Sequence, residues 1–315
     1  MTIGIGAAGP RAGLAIFRAL EAAERVSTGA IGGFAGFAAI DGEGKLHWAE
    51  TQRGGTATLF TRGESVGGAP PEAVANAPLA ALISSGPDRP APLSQFLAAD
   101  PAVGLVTGHR LPNSVGANGI ALNSAVLGAM SGGAGAGAAL EAVLGEARDA
   151  DAGMIALGRG RGIAALNSPL VALRPDLGAV SLSEGAARVE ILHNAITPRL
   201  YLAPLIGELA IGIMAPAPEP AGVVTVRSGT PLRKAAAKRI LAGSDGVATA
   251  IETDVDQYLY GRHNCAAVYL GTPVEMTGRL VGTTAMEPNV IVEDGRVVSL
   301  SGQTTVDIPL VSPSS

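Results

Sequence analysis

A four-layer αββα sandwich of the α+β class, followed by an additional strand-rich C-terminal part, is the fold this sequence predicts; the repeated order of its elements suggests the layering, and three observations bear on the architecture. The first is composition: 47% of the 315 residues are hydrophobic but only 3% are aromatic. The core must therefore be built from Ala, Val, Leu and Ile among 44 glycines, which suits closely approaching layers of helix and sheet. The second is order, because a helix-then-hairpin plan occurs twice. The third is a Pro-rich stretch, MAPAPEPAG at 214–222, which reads as a linker and sets the expected division. The expected parts are an αββα domain over 1–215 and a strand-rich domain or elaboration over 216–315.

The elements follow in order. TIGIGA alternates glycine with other residues and can form a central strand that presents Thr2 at a sheet end. Residues 11–25 set Leu14, Ile16, Phe17 and Leu20 at near-helical spacing, and GAIGGFAGFAAIDGEGKLHWAE reads as two strands around a DGEGK turn. The Pro-, Gly- and Ser-rich segment that follows reads as a short helix over 71–83 and then a surface loop. PAVGLV is a strand and TGHRLPN the loop after it. NGIALNSAVLGAM and GAALEAVLGEA are short helices, and DAGMIALGRGRGIAALNS is a second hairpin. Two units, each burying one hairpin face and one helix face, stack most simply as two sheets between helices. In the C-terminal part CAAVYLG and NVIVEDGRVVSLSG read as strands, with an Asp294-Gly295 hairpin turn.

Charge and composition narrow the partners. The balance of 22 basic and 27 acidic residues, net −5, has no basic run and few aromatic platforms, so nucleic acid is not an expected partner. A lone Cys265 and four histidines without ligand spacing predict neither a disulfide nor a metal site. The Gly-rich GAGAGA and GRGRG stretches lack a Walker lysine, so no cofactor is expected. Arg11, Arg18 and Glu21 interrupt the apolar start, and Glu208 interrupts LYLAPLIGELAIGIM, so no membrane partner is expected. The expected setting is cytoplasmic and the expected partner a small-molecule substrate, with a homo-oligomer left open.

Removal of Met1 before the small Thr2 would put a hydroxyl and a free amine on one residue. An α-amine has an ordinary pKa of about 8, closer to working pH than a lysine at about 10.4, so it can take the hydroxyl proton itself. The segment from AVGLVTGHRLPNSVG to GRGRGIAALNS, together with the Met-Thr start, resembles a bacterial family of N-terminal-nucleophile (Ntn) hydrolase-like proteins. Thr2, Thr107, Asn113, Gly116 and Gly119 occupy the corresponding places over roughly the first 170 residues. The resemblance implies the αββα fold and an amide-bond hydrolase with Thr2 as nucleophile.

Other polar clusters supply candidates around it. In TGHRLPN, His109 can shuttle protons or bind substrate, Arg110 can hold a carboxylate and Asn113 can donate to an oxyanion. In TQRGG, Arg53 is a candidate substrate contact, and Gly54 and Gly55 can bring backbone N–H groups to an anion. His193, Arg262 and His263 complete the substrate-binding candidates, with His263 and Cys265 on one strand face as a conceivable dyad. Two alternatives stay open. One is a hydrolase or lyase using His109, His193 and His263 without Thr2, and the other a small-ligand-binding protein without catalysis.

Overall fold

The computed structural model describes residues 1–29, 31–62, 65–66, 68–215 and 220–312, and the chain divides into two compact units, Met1–Pro216 and Ala217–Ser315. In chain order the first unit runs β1 (Thr2–Ala8), α1 (Ala12–Val26), β2 (Ala35–Ile40), β3 (Leu46–Thr51), α2 (Thr56–Leu59), β4 (Thr61–Arg62), β5 (Ser65–Val66), α3 (Glu72–Ala75) and β6 (Leu79–Ser85). It continues with β7 (Ala98–Asp100), β8 (Gly104–Arg110), α4 (Leu122–Ser131), α5 (Ala136–Glu146), β9 (Ala152–Gly158), β10 (Gly162–Asn167), α6 (Pro169–Ala172), β11 (Leu177–Glu184), β12 (Ala187–Asn194) and α7 (Arg199–Met214).

The unit is mixed α/β with antiparallel sheets. One sheet has six strands in the order β11-β12-β1-β6-β2-β3, and a second has four in the order β10-β9-β8-β7. Helices α1 and α7 pack on the first sheet, where Ile3, Ile5, Phe17, Leu20, Val189 and Ile206 share a buried cluster. Helices α4 and α5 pack on the second through Val106, Val126, Leu140 and Met154. Both sheets contribute to a third cluster that includes Ala81, Leu105, Ile155 and Leu192.

Strand alternation explains how β1 serves two neighbours at once. Ile3, Ile5 and Ala7 point to the helices, so Thr2, Gly4 and Gly6 point to the other sheet. A Cβ on Gly4 would lie 2.4 Å from the carbonyl oxygen of Gly108 on β8, and one on Gly6 would lie 2.8 Å from Ile155 Cγ2. The glycines of TIGIGA are therefore the condition for the sheets to approach there.

Three sequence expectations are corrected. The segment 71–83 is not one helix: α3 stops at Ala75, and Leu79–Ser85 is β6, fully buried between β1 and β2. Pro78 disfavours helical backbone at Ala77, and the apolar run beyond it has the length of a strand buried on both faces. His109 and Arg110 are not in a loop; they are the last residues of β8, paired with Gly153 and Ala152 of β9. Their polar side chains fit there because internal partners meet them, as described below. The expected linker at 214–222 falls in part on residues 216–219, outside the described residues, while α7 runs to Met214.

The second unit contains β13 (Gly222–Arg227), β14 (Leu232–Lys234), β15 (Arg239–Ala242), β16 (Ala248–Thr253), β17 (Arg262–Cys265), β18 (Pro273–Met276), β19 (Arg279–Thr284), β20 (Val290–Glu293), β21 (Arg296–Leu300) and β22 (Thr305–Val311). They form a seven-stranded sheet and a three-stranded sheet, β17-β20-β21, around a Val-rich core. Asp294 at φ 46° and Gly295 at φ 71° make the two-residue turn between β20 and β21. CAAVYLG is not a strand past Cys265, because Thr272 and Thr284 hydroxyls capture the backbone N–H and carbonyl of Tyr269 and turn the chain. No helix among the described residues is long and apolar enough to cross a membrane.

Candidate active site

The site begins with register. Thr2 pairs with Asn194 at the end of β12 and with Ser85 at the end of β6, so three polar residues align at one edge of the six-stranded sheet. Thr2 is 8% exposed, and its side chain faces β8. The Thr2 hydroxyl donates to Asn194 Oδ1 at 2.7 Å and accepts the Arg110 backbone N–H at 2.6 Å. A hydroxyl held at both ends has a fixed orientation, which a nucleophile needs before attack.

The Arg110 backbone is unusual in supplying that N–H from φ 64°. Left-handed backbone at a residue with a Cβ costs about 1–2 kcal/mol, and the conformation persists because both ends of the residue are tied. The guanidinium forms a two-pronged ion pair with Asp151, one arm at 2.5 Å, and hydrogen bonding from Arg110 holds the Asp151 carboxyl below the usual carboxylate range. Arg110 thus positions Thr2 with its backbone, while its charge is already met by Asp151 rather than free for a ligand carboxylate.

His109 lies behind this pair. It is fully buried, with Nε2 2.8 Å from Asn167 Oδ1 and Nδ1 3.4 Å from Asn194 Oδ1. Burial pushes its pKa down, opposed in part by the two asparagines, so the ring is neutral near pH 7. A neutral imidazole donates from one nitrogen only, so it serves as donor to one of these two amide oxygens. His109 does not line the cavity described next. Its connection to Thr2 runs through Asn194, which makes it a positioning residue rather than a substrate contact.

Thr2 opens on a cavity of about 430 Å³. Asn194, Arg110, Asp151, Asn113 and Gln95 give it a polar side, while Phe34, Ile83, Phe96 and Leu111 give it an apolar one. Asn113 donates from Nδ2 to Gln95 Oε1 at 2.7 Å and keeps a buried Oδ1 without a partner among the described residues. Met1 also lines the cavity; its carbonyl accepts the Ser85 hydroxyl at 2.6 Å, and Arg89 Nη2 donates to that same Ser85 oxygen. Burial, then the charges of Arg89 and Arg110, hold the terminal amine below its ordinary pKa, opposed by Asp176.

Four other candidates stand elsewhere. Arg53 is exposed and pairs with Asp88 at 2.5 Å, outside the cavity wall. Its neighbour Gln52 clasps the backbone of Arg89 through both amide ends, at 2.9 and 2.8 Å. The Gly54-Gly55 pair does bring a backbone N–H to an anion, but the anion is internal: Thr56 N–H bonds to the Glu24 carboxylate at 3.1 and 3.2 Å. His193 pairs with Ile3 and so faces the helix side, close to Gly178 and Arg199; burial pushes it down to about 4. The residue of that pair which enters the site is Asn194, and the signal was strand register, since one step along a strand changes the face. Arg262 and His263 lie on β17 of the second unit. Arg262 pairs with Glu293 at 2.9 Å, and His263 Nε2 lies 2.8 Å from the Tyr260 carbonyl. Cys265 is not an activated partner for it, because burial pushes the thiol up.

Among the described residues no group of three or more His, Cys, Asp or Glu side chains gathers as a metal site would require. A family model described as a domain of unknown function (DUF6963) matches residues 2–223, and a second domain of unknown function (DUF7259) matches residues 229–305. No curated protein and no solved structure matches the chain.

Proposed function

The chain belongs to the DUF6963 family across most of its length, and from that premise we propose that it is an amide-bond hydrolase of the N-terminal-nucleophile kind, with Thr2 as nucleophile once Met1 is removed. The observation that carries the proposal is the Thr2 hydroxyl, fixed between Asn194 Oδ1 and the Arg110 N–H at the mouth of the cavity. The packing of helices on the outer face of each sheet, with a shared cluster between the sheets, supports reading the first unit as the four-layer αββα sandwich of Ntn hydrolases.

In the proposed reaction the freed Thr2 amine takes the proton from Thr2 Oγ1 as that oxygen attacks the amide carbonyl carbon. The carbonyl oxygen becomes an anion, for which the side-chain amides of Asn194 and Asn113 on the cavity wall are neutral candidate donors. The ammonium returns its proton to the departing nitrogen as the C–N bond breaks, leaving an ester on Thr2. Water then attacks that ester, its proton passing to the amine; the ammonium returns a proton to Thr2 Oγ1 as the ester C–O bond breaks, and the acid product leaves.

The histidine-based alternative lacks a shared location in the first unit, since His109 sits between the sheets and His193 on the helix face. The test uses three variants and a panel of small N-acyl amides. Thr2→Ala should abolish turnover, Thr2→Ser should retain part, and an alanine inserted before Thr2 should abolish it by converting the base into an amide. Full turnover by the insertion variant would sink the proposal.

A further inference from the structure

The cavity has two cations on its wall, and only one is neutralised. Arg110 is bound to Asp151, whereas Arg89 has no carboxylate partner among the described residues. A guanidinium left unpaired at a half-buried wall is costly unless an anion meets it during function. Arg89 is also held in place. Gln52 bonds both its backbone N–H and its carbonyl, and the Arg53–Asp88 ion pair ties the same two segments one residue away. One guanidinium nitrogen rests on Ser85 Oγ, whose hydroxyl in turn donates to the Met1 carbonyl. Loss of Met1 removes that carbonyl and frees the Ser85 hydroxyl as a second donor beside the guanidinium.

The cavity also has an apolar lining. Phe34 and Phe96 stack at a tilt with centroids 5.3 Å apart, and Ile83 and Leu111 extend the same surface. A cavity of about 430 Å³ falls in the size range of small-molecule sites. We propose that the ligand of this cavity is a small amide carrying both a carboxylate, paired with Arg89 and the Ser85 hydroxyl, and an aromatic or branched apolar group seated against Phe34 and Phe96. The inference rests on the hydrolase reading for the bond that is cut, but not for binding.

Binding is therefore measured on Thr2→Ala protein by calorimetry, with two pairs of probes. Phenylacetylglycine is compared with phenylacetylglycinamide, which places the carboxylate on the amine side. Glutaranilic acid is compared with its carboxamide, which places it on the acyl side. In at least one pair the acid should bind about tenfold or more tightly than the amide, as one charge-assisted pair allows, and Arg89→Gln should remove that preference while Arg89→Lys retains part. Equal binding of acid and amide in both pairs, no binding of any probe, or a preference that survives Arg89→Gln would overturn the inference. The wild-type preference needs no variant at position 89 and is decisive even if those variants fold poorly. A charge preference without turnover by the wild-type protein would overturn the hydrolase and leave this inference standing; turnover without a charge preference would do the reverse.

Discussion

Replacing Asn194 by Ala removes the acceptor of the Thr2 hydroxyl and the contact through which His109 reaches it. Loss of one preorganised polar group of this kind costs about 10²–10³ in kcat, while the stability cost is that of one buried donor left unpaired, about 1–3 kcal/mol. Steady-state kinetics beside thermal melting separates the two effects, and a large stability loss with unchanged kcat would assign Asn194 to structure alone. A second prediction concerns His109 and His193, whose folded pKa values both lie below the ordinary 6.5, mainly through burial. Below pH 6.5 the unfolded chain takes up protons that the folded chain refuses. Stability is therefore full above that pH and falls as pH drops toward about 4, the value for His193. The His193 share is about 3 kcal/mol; urea unfolding of His193→Leu between pH 7 and 4 should show a correspondingly shallower fall. At this scale the sequence disclosed Thr2, His109, Arg110 and Asn113 as a neighbourhood but not their roles. Whether a polar side chain faces cavity, core or helix depends on register, which residue type alone does not encode.

Strand β1 can lie in the middle of its sheet and against β8 only because its inward positions 4 and 6 are glycines. Gly4→Val should push β1 from Gly108, disturb the Thr2–Arg110 contact and destabilise the protein by about 2 kcal/mol or more, as overpacking does. Denaturant unfolding checks the stability, and unaltered activity at full stability would contradict the close approach. The glycine alternation of TIGIGA was readable as a strand, as were α1, the β2–β3 and β9–β10 hairpins and the Asp294-Gly295 turn, because each carries local periodicity or turn chemistry. β6 was not readable, since a strand buried on both faces has no alternation and its pairing with β1 and β2 is decided by distant residues. The end of β8 was hidden for a related reason: Thr107, His109 and Arg110 look like loop residues until Leu82, Asn167 and Asp151 are brought to them.

At the scale of the whole molecule, the buried clusters that hold Thr2, His109 and the cavity lie within Met1–Pro216, and the Val-rich core lies within Ala217–Ser315. A chain of residues 1–215 should therefore unfold cooperatively by itself and retain the charge-selective cavity, which circular dichroism and calorimetry can read; failure to fold would make the second unit a condition of the first. The central claim concerns the whole chain as it is processed, and intact-mass analysis of native protein before and after reaction with an activated phenylacetyl ester tests it most directly. The account predicts a starting mass lower by one methionine residue, then a single phenylacetyl adduct that peptide mapping places on Thr2 and that Thr2→Ala does not form. A fully active protein that retains Met1, or an adduct on any other residue, would contradict it.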